Sequence, residues 1–168
     1  YSAWHAGNAY WEGETNINAI SIGIEVENSG YEPYPEEQMK VLGIFGSPRR
    51  GGNTEILLEE ALKGAEKEGA KVERLYLSDF TITPCKECHG CDDTGNCIIL
   101  DEMEKVYPKL LEADVVILAS PIFFYGVTAW AKALIDRSQA LWARKYLLKD
   151  PSLGKEGKKR KGFFISVG

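Results

Sequence analysis

The stretch 41–45, VLGIF, is apolar without polar alternation, as expected of a strand covered on both faces of a parallel sheet. It stops at Gly46, passes through the polar loop Ser47-Pro48-Arg49-Arg50-Gly51-Gly52, and gives way to helical spacing over 54–68. Asn53 or Thr54 is the expected N-cap of that helix, with Ile56, Leu57, Ala61 and Ala65 on its inward face and Gly69 as the stop. The pattern then repeats. A strand is expected over 72–77, a helix over 101–112 and a strand over 115–120, then a helix over 128–145 and a last strand over 162–168. Asp101 and Glu104 suggest a capping box, Met103, Val106 and Leu110 face inward, and Pro108 is expected to kink that helix. In the helix over 128–145 the expected inward residues are Trp130, Leu134, Ile135 and Leu141.

Strands and helices alternating in this way predict an α/β fold, a doubly wound parallel sheet of the flavodoxin type. With right-handed crossovers the strand order is 2-1-3-4, which puts strands 41–46 and 115–120 side by side at the switch point. The chain stops after its fourth strand, where this fold expects another helix, a fifth strand and a closing helix, so a C-terminally truncated domain is expected. Ahead of it, residues 1–38 are mostly Gly, Asn and aromatic loop with one alternating stretch, 20–26, that reads as a strand. This is too little to bury a core of its own.

Charge sharpens that division. Of the net −5, residues 1–38 contribute −7 through seven Glu and no other charged side chain except His5, while the remainder carries +2. The break falls at Met39, so the expected organisation is a short foreign segment, 1–38, joined to a flavodoxin-like domain, 39–168. The chain opens on Tyr1, so a start beyond it is expected, and no signal peptide precedes the first strand. No apolar run approaches the length of a membrane span, so neither a membrane nor export is expected. The basic run 155–161, KEGKKRK, lacks interleaved aromatics and reads as a solvated loop rather than a nucleic-acid site.

Ligands of such sheets bind beyond the carboxyl ends of the strands, where the loops 47–53, 78–100 and 121–126 emerge. The first joins a strand to a helix N-terminus through small and basic residues. Its free amides and the helix dipole favour a phosphate, although an ordinary βα turn has the same outline. The third, Pro121-Ile122-Phe123-Phe124-Tyr125-Gly126, suits a flat aromatic ring, or else Phe123, Phe124 and Tyr125 are core. Phosphate plus ring at one crevice is a mononucleotide such as FMN.

The second loop holds every cysteine, as Cys85, Cys88, Cys91 and Cys97 in a C-x2-C-x2-C-x5-C pattern. Three cysteines at a three-residue step are a recurring 4Fe–4S spacing. A zinc site of four cysteines more often uses two separated C-x-x-C pairs, and disulfides belong to exported proteins, yet both readings stay open. His89 within the loop reads as a neighbour of the metal or as solvated.

Two resemblances add to these readings. Trp4-His5-Ala6-Gly7, Thr15-Asn16-Ile17-Asn18 and Ser21-Ile22-Gly23-Ile24-Glu25 resemble an internal piece of the zinc-dependent N-acetylmuramoyl-L-alanine amidases. There the Glu matching Glu25 is the acid/base. The family's two His and one Asp ligands lie outside this piece, so the resemblance implies ancestry of a fragment and not amidase activity.

Gly46-Ser47-Pro48-Arg49, Gly52-Asn53-Thr54, the cysteine motif, Ser120-Pro121-Ile122, Tyr125-Gly126 and Leu134-Ile135-Asp136-Arg137 resemble the iron–sulfur flavoproteins of the NADPH-dependent FMN reductase superfamily. That resemblance implies FMN bound by Ser47, Arg49, Asn53, Thr54 and the 121–126 loop. It also implies a 4Fe–4S cluster on the four cysteines, a homodimer or homotetramer, and cytoplasmic electron transfer with a ferredoxin or NAD(P)H as partner. No side chain is a catalytic candidate; Asp136 and Arg137 read equally as a structural ion pair. The alternatives are a plain NAD(P)H-dependent flavin reductase and a zinc-bound module without enzymatic activity.

Overall fold

The computed structural model describes residues 10–11, 14–15, 38–153 and 160–167. The chain divides into two compact units, Tyr1–Glu37 and Gln38–Gly168. Within the first, β1 (Tyr10–Trp11) pairs antiparallel with β2 (Glu14–Thr15), a short ladder in a stretch expected to be loop. The expected strand over 20–26, His5, Glu25 and most of the basic run 155–161 lie outside the described residues.

The second unit is built on β3 (Lys40–Phe45), with α1 (Asn53–Lys67), β4 (Lys71–Tyr76), α2 (Met103–Glu112), β5 (Val115–Pro121), α3 (Ala129–Arg137), α4 (Gln139–Trp142) and β6 (Lys161–Val167) following in order. The four strands from β3 onward form one parallel sheet in the order β4-β3-β5-β6, the expected 2-1-3-4. In register, Val41 lies between Val72 and Val115, and Phe45 between Tyr76 and Ala119.

The uninterrupted apolar reading of β3 has a direct cause. Leu42 and Ile44 pack on one face with Leu75, Met103, Val106, Ala131 and Leu134. Val41 and Phe45 pack on the other with Leu58, Leu62, Ile117 and Ile165. Helices cover both faces, so neither parity of the strand can be polar.

The helices depart from expectation in detail. In α1 the buried stripe is Leu58 and Leu62 with Ala61 and Ala65 against it, whereas Ile56 and Leu57 are about half exposed. The helix begins at Asn53, and Gly52 is its N-cap, in extended conformation with its carbonyl accepting from Ile56 N–H at 3.0 Å. Neither Asn53 nor Thr54 caps. Instead Glu55 reaches back to accept from Gly51 N–H at 2.8 Å, as the acidic member of a capping box does.

Helix α2 starts at Met103 and runs through Pro108 to Glu112. Asp101 accepts from Met103 N–H at 3.0 Å as expected of a cap, but Glu102 rather than Glu104 makes the second contact, accepting from Thr81 N–H at 2.8 Å. The helix expected over 128–145 is two helices, α3 and α4, hinged at Ser138 and followed by a wide π-type turn, Ala143–Leu147. Its buried side is made of Ala131, Leu134, Arg137, Ala140 and Ala143, while Trp130 and Ile135 stay partly exposed. Among the described residues no helix is long and apolar enough to cross a membrane.

Candidate functional site

Because β3, β4 and β5 are parallel, the loops after them leave the same carboxyl edge of the sheet. The first loop is turned by local bonds. The Ser47 hydroxyl accepts from Arg49 N–H at 3.1 Å and donates to the Arg49 carbonyl at 3.2 Å, a serine turn. Gly51 takes a φ of +67°, which a side chain resists. The loop's two arginines have separate fates. Arg50 donates to both oxygens of Asp79, at 2.6 and 2.8 Å, and lies 3.5 Å over the Tyr76 ring. Arg49 is exposed, and its guanidinium bonds to no other described residue. Asn53 and Thr54 open the helix, where first-turn N–H groups have no partner within the helix.

The 121–126 loop is not core. Phe124 and Tyr125 are 98% and 97% exposed and hold φ values of 42° and 65°. Phe123 and Gly126 close the turn by exchanging N–H···O bonds of 2.8 and 3.0 Å. Two aromatic residues in left-handed conformation at a tight turn are strained, since Asn and Gly are the usual occupants. Pro121 ends β5, and Ile122 beside it is half exposed.

A brace that the sequence did not reveal joins these two loops. The buried Thr128 hydroxyl donates to the Gly46 carbonyl at 2.5 Å and accepts from Ala131 N–H at 3.2 Å, capping α3. Thr128 N–H donates in turn to the Ser120 hydroxyl at 3.1 Å. Gly46 fits because a Cβ there would stand 2.8 Å from the Ala119 carbonyl oxygen. The only sequence signal was a Thr ahead of an apolar helical stretch, which does not disclose its long-range partner.

The cysteines occupy an irregular lobe. Glu87 and His89, at φ of 52° and 56°, turn the chain between them. Glu87 N–H donates to the Cys85 sulfur at 3.4 Å. His89 pairs through Nδ1 with Asp92 at 2.9 Å and is largely exposed, which places it in solvent. All four cysteines line one pocket of about 450 Å³, whose far wall includes Ile135, Asp136 and Arg137. Among the described residues no three His, Cys, Asp or Glu side chains stand close enough together to hold a metal ion. The donor set nevertheless suits iron–sulfur chemistry: four soft ligands on a short lobe facing one cavity. Burial pushes the Cys91 thiol up, and Asp92 beside it adds to the shift. Residues 47–54 and 121–126 do not line this pocket.

The neck of the lobe is tied by an ion pair. Arg137 does not pair with Asp136, which binds Lys132 instead at 2.6 Å. It binds Asp101 at 2.7 and 3.1 Å, and the carbonyls of Thr83 at 2.8 Å and Ile99 at 3.0 Å. Burial by itself would raise the Asp101 carboxyl. Hydrogen bonds from Arg137, Thr83 and Met103 outweigh burial and bring the carboxyl down to about 2. Tyr107 donates to the Arg137 carbonyl at 2.8 Å, and burial near Cys97 pushes its phenol up to about 12.

Comparison with known proteins agrees with this architecture. Residues 39–157 match the family model described as NADPH-dependent FMN reductase, and residues 1–44 match that of N-acetylmuramoyl-L-alanine amidase. An iron–sulfur flavoprotein of Methanocaldococcus jannaschii is 46% identical over 103 residues, covering 61% of this chain and 53% of that protein. The amidase AmiD of Escherichia coli is 57% identical over 30 residues, covering 18% of this chain and 11% of that protein. A solved flavone reductase superposes with a TM-score of 0.54 at 26% identity, over 77% of this chain and 43% of that one. The chain spans about half the length of the curated flavoprotein relatives it matches. Its parallel sheet and the match over 39–157 lead to one conclusion: the chain belongs to the NADPH-dependent FMN reductase family.

Proposed function

We propose that the chain is a redox protein that carries FMN and a 4Fe–4S cluster and passes electrons between them. The observation that carries this reading is the placement of all four cysteines around one cavity, on a loop leaving the flavin-type edge of the sheet. A flavin exchanges one or two electrons and a cluster one at a time, so the pair links two-electron donors to one-electron carriers. The chain's own residues bind and orient. First-turn amides at Asn53 and Thr54 donate to the phosphate, with Ser47 shaping the loop and Arg49 supplying a free charge. The turn Pro121 to Gly126 offers exposed rings and strained backbone to the isoalloxazine. Cys85, Cys88, Cys91 and Cys97 hold iron as thiolates.

The electron partner is NAD(P)H or a ferredoxin-type carrier, the setting is the cytoplasm, and the assembly is a homodimer or homotetramer. Residues 1–38 hold neither the two His nor the Asp that bind zinc in the amidase family, and no hydrolysis is proposed for them.

Changing any one of the four cysteines to Ala in anaerobically prepared protein should abolish the broad visible absorbance of the cluster while FMN stays bound. If all four variants keep the wild-type visible spectrum, the cysteines do not carry a cluster. A plain flavin reductase or a zinc-bound module then takes its place.

A further inference from the structure

Arg137 is 1% exposed, although it carries a full charge. A guanidinium has five N–H donors. The four on Nη1 and Nη2 meet the carbonyls of Thr83 and Ile99 and both oxygens of Asp101. The fifth, on Nε, has no partner, and among the described residues it is the one buried side-chain polar atom left without one. Buried donors are almost always satisfied, and an unsatisfied charged one is costly. Arg137 also lines the cavity that the four cysteines surround, and Cys97 stands within electrostatic reach of it.

We propose that Arg137 is a positioning residue for the iron–sulfur centre, whose Nε–H is held in reserve for a sulfur of the cluster or of Cys97. The Nη donors fix the neck of the lobe on both sides, at Thr83 before the first cysteine and at Ile99 and Asp101 after the last. Asp101 reinforces the neck by accepting from Thr83 N–H at 2.8 Å. The remaining donor brings an N–H hydrogen bond to the sulfurs, which favours the more negative, reduced state of the centre and so raises its potential. This inference rests on the cluster reading given above.

The test uses the full chain, loaded anaerobically. With 15N placed at arginine Nε, pulsed EPR of the reduced wild-type centre should show a 15N coupling, and Arg137→Lys should lose it. A paired variant, Arg137→Met with Asp101→Leu, removes both charges together and leaves neither buried alone. Its centre should become harder to reduce by about tenfold at fixed poise, or about 59 mV for one electron.

Iron-loaded wild type without the 15N coupling overturns the inference and leaves the cluster reading standing. So does a paired variant with normal iron and an unchanged potential. If the paired variant fails to fold or to take up iron, the isotope measurement decides. Wild type that binds no iron under reconstitution brings down the cluster reading and this inference with it.

Discussion

The two adjacent arginines of the first loop show how much a single residue's partners matter. Arg50 is committed to Asp79 and Tyr76, while the Arg49 side chain is exposed and its guanidinium is bonded to no other described residue. Arg49→Ala should therefore weaken FMN binding by roughly 1.5–3 kcal/mol, the range of a charge-assisted hydrogen bond. Fluorescence titration of the flavin measures it, and an unchanged affinity would assign the phosphate to another group. Arg49 was the candidate marked in the sequence, but the commitment of its neighbour Arg50 was not legible, because Asp79 lies 29 residues from Arg50. Asp101 gives a pH signature at the same scale. Its carboxyl, at about 2, sits below the ordinary 3.8, so its stabilisation is complete above about pH 4 and fades as pH falls toward 2. The shift corresponds to about 2 kcal/mol. Acid titration of thermal stability should show that loss in the wild type and not in the paired Arg137→Met, Asp101→Leu variant. Asp101 was legible as a helix cap, but its second role, receiving Arg137 from 36 residues away, was not.

Among the elements, strands and their order were readable because an apolar run buried on both faces leaves a local mark. Contacts between loops leave none. Thr128 illustrates the difference, since its cap to Ala131 is local whereas its bond to Gly46 spans 82 residues. Thr128→Val keeps the shape and removes the hydroxyl, leaving the buried Gly46 carbonyl without that donor. A loss of about 1–3 kcal/mol in chemical denaturation is expected, with weaker flavin retention because both loops proposed to hold the flavin share this brace. A stability within experimental error of wild type would show the brace to be dispensable. The cysteine lobe is seated in another way. Gly95 holds a φ of +69° and packs so tightly on Arg144 that a Cβ there would collide with its side chain. Gly95→Ala should lower iron retention while leaving FMN content intact, as judged by metal and flavin analysis of one sample. The rotated face of α1 and the hinge at Ser138 escaped the sequence reading for a common reason. Apolar residues exceed the buried positions available, so Ile56, Leu57, Trp130 and Ile135 mimic a core stripe while remaining partly exposed.

At the level of the whole molecule, the charge break at Met39 and the compact unit Gln38–Gly168 place the proposed redox function, as we read it, within the latter unit. Removing residues 1–38 should leave iron and flavin per chain unchanged, and a loss of flavin on deletion would give that segment a role in the site. Gly46, the Ser47-Pro48-Arg49 loop and the cysteine spacing made the family legible from the sequence. The arrangement of the cysteines around a cavity walled by α3 was not, because spacing along a chain says nothing of what faces it. The central claim is that these four thiols take iron and not zinc. Metal, acid-labile sulfide and FMN should therefore be quantified in protein prepared and reconstituted without oxygen. The account expects about four iron and four sulfide per chain alongside about one FMN. Stoichiometric zinc with neither iron nor sulfide would contradict it.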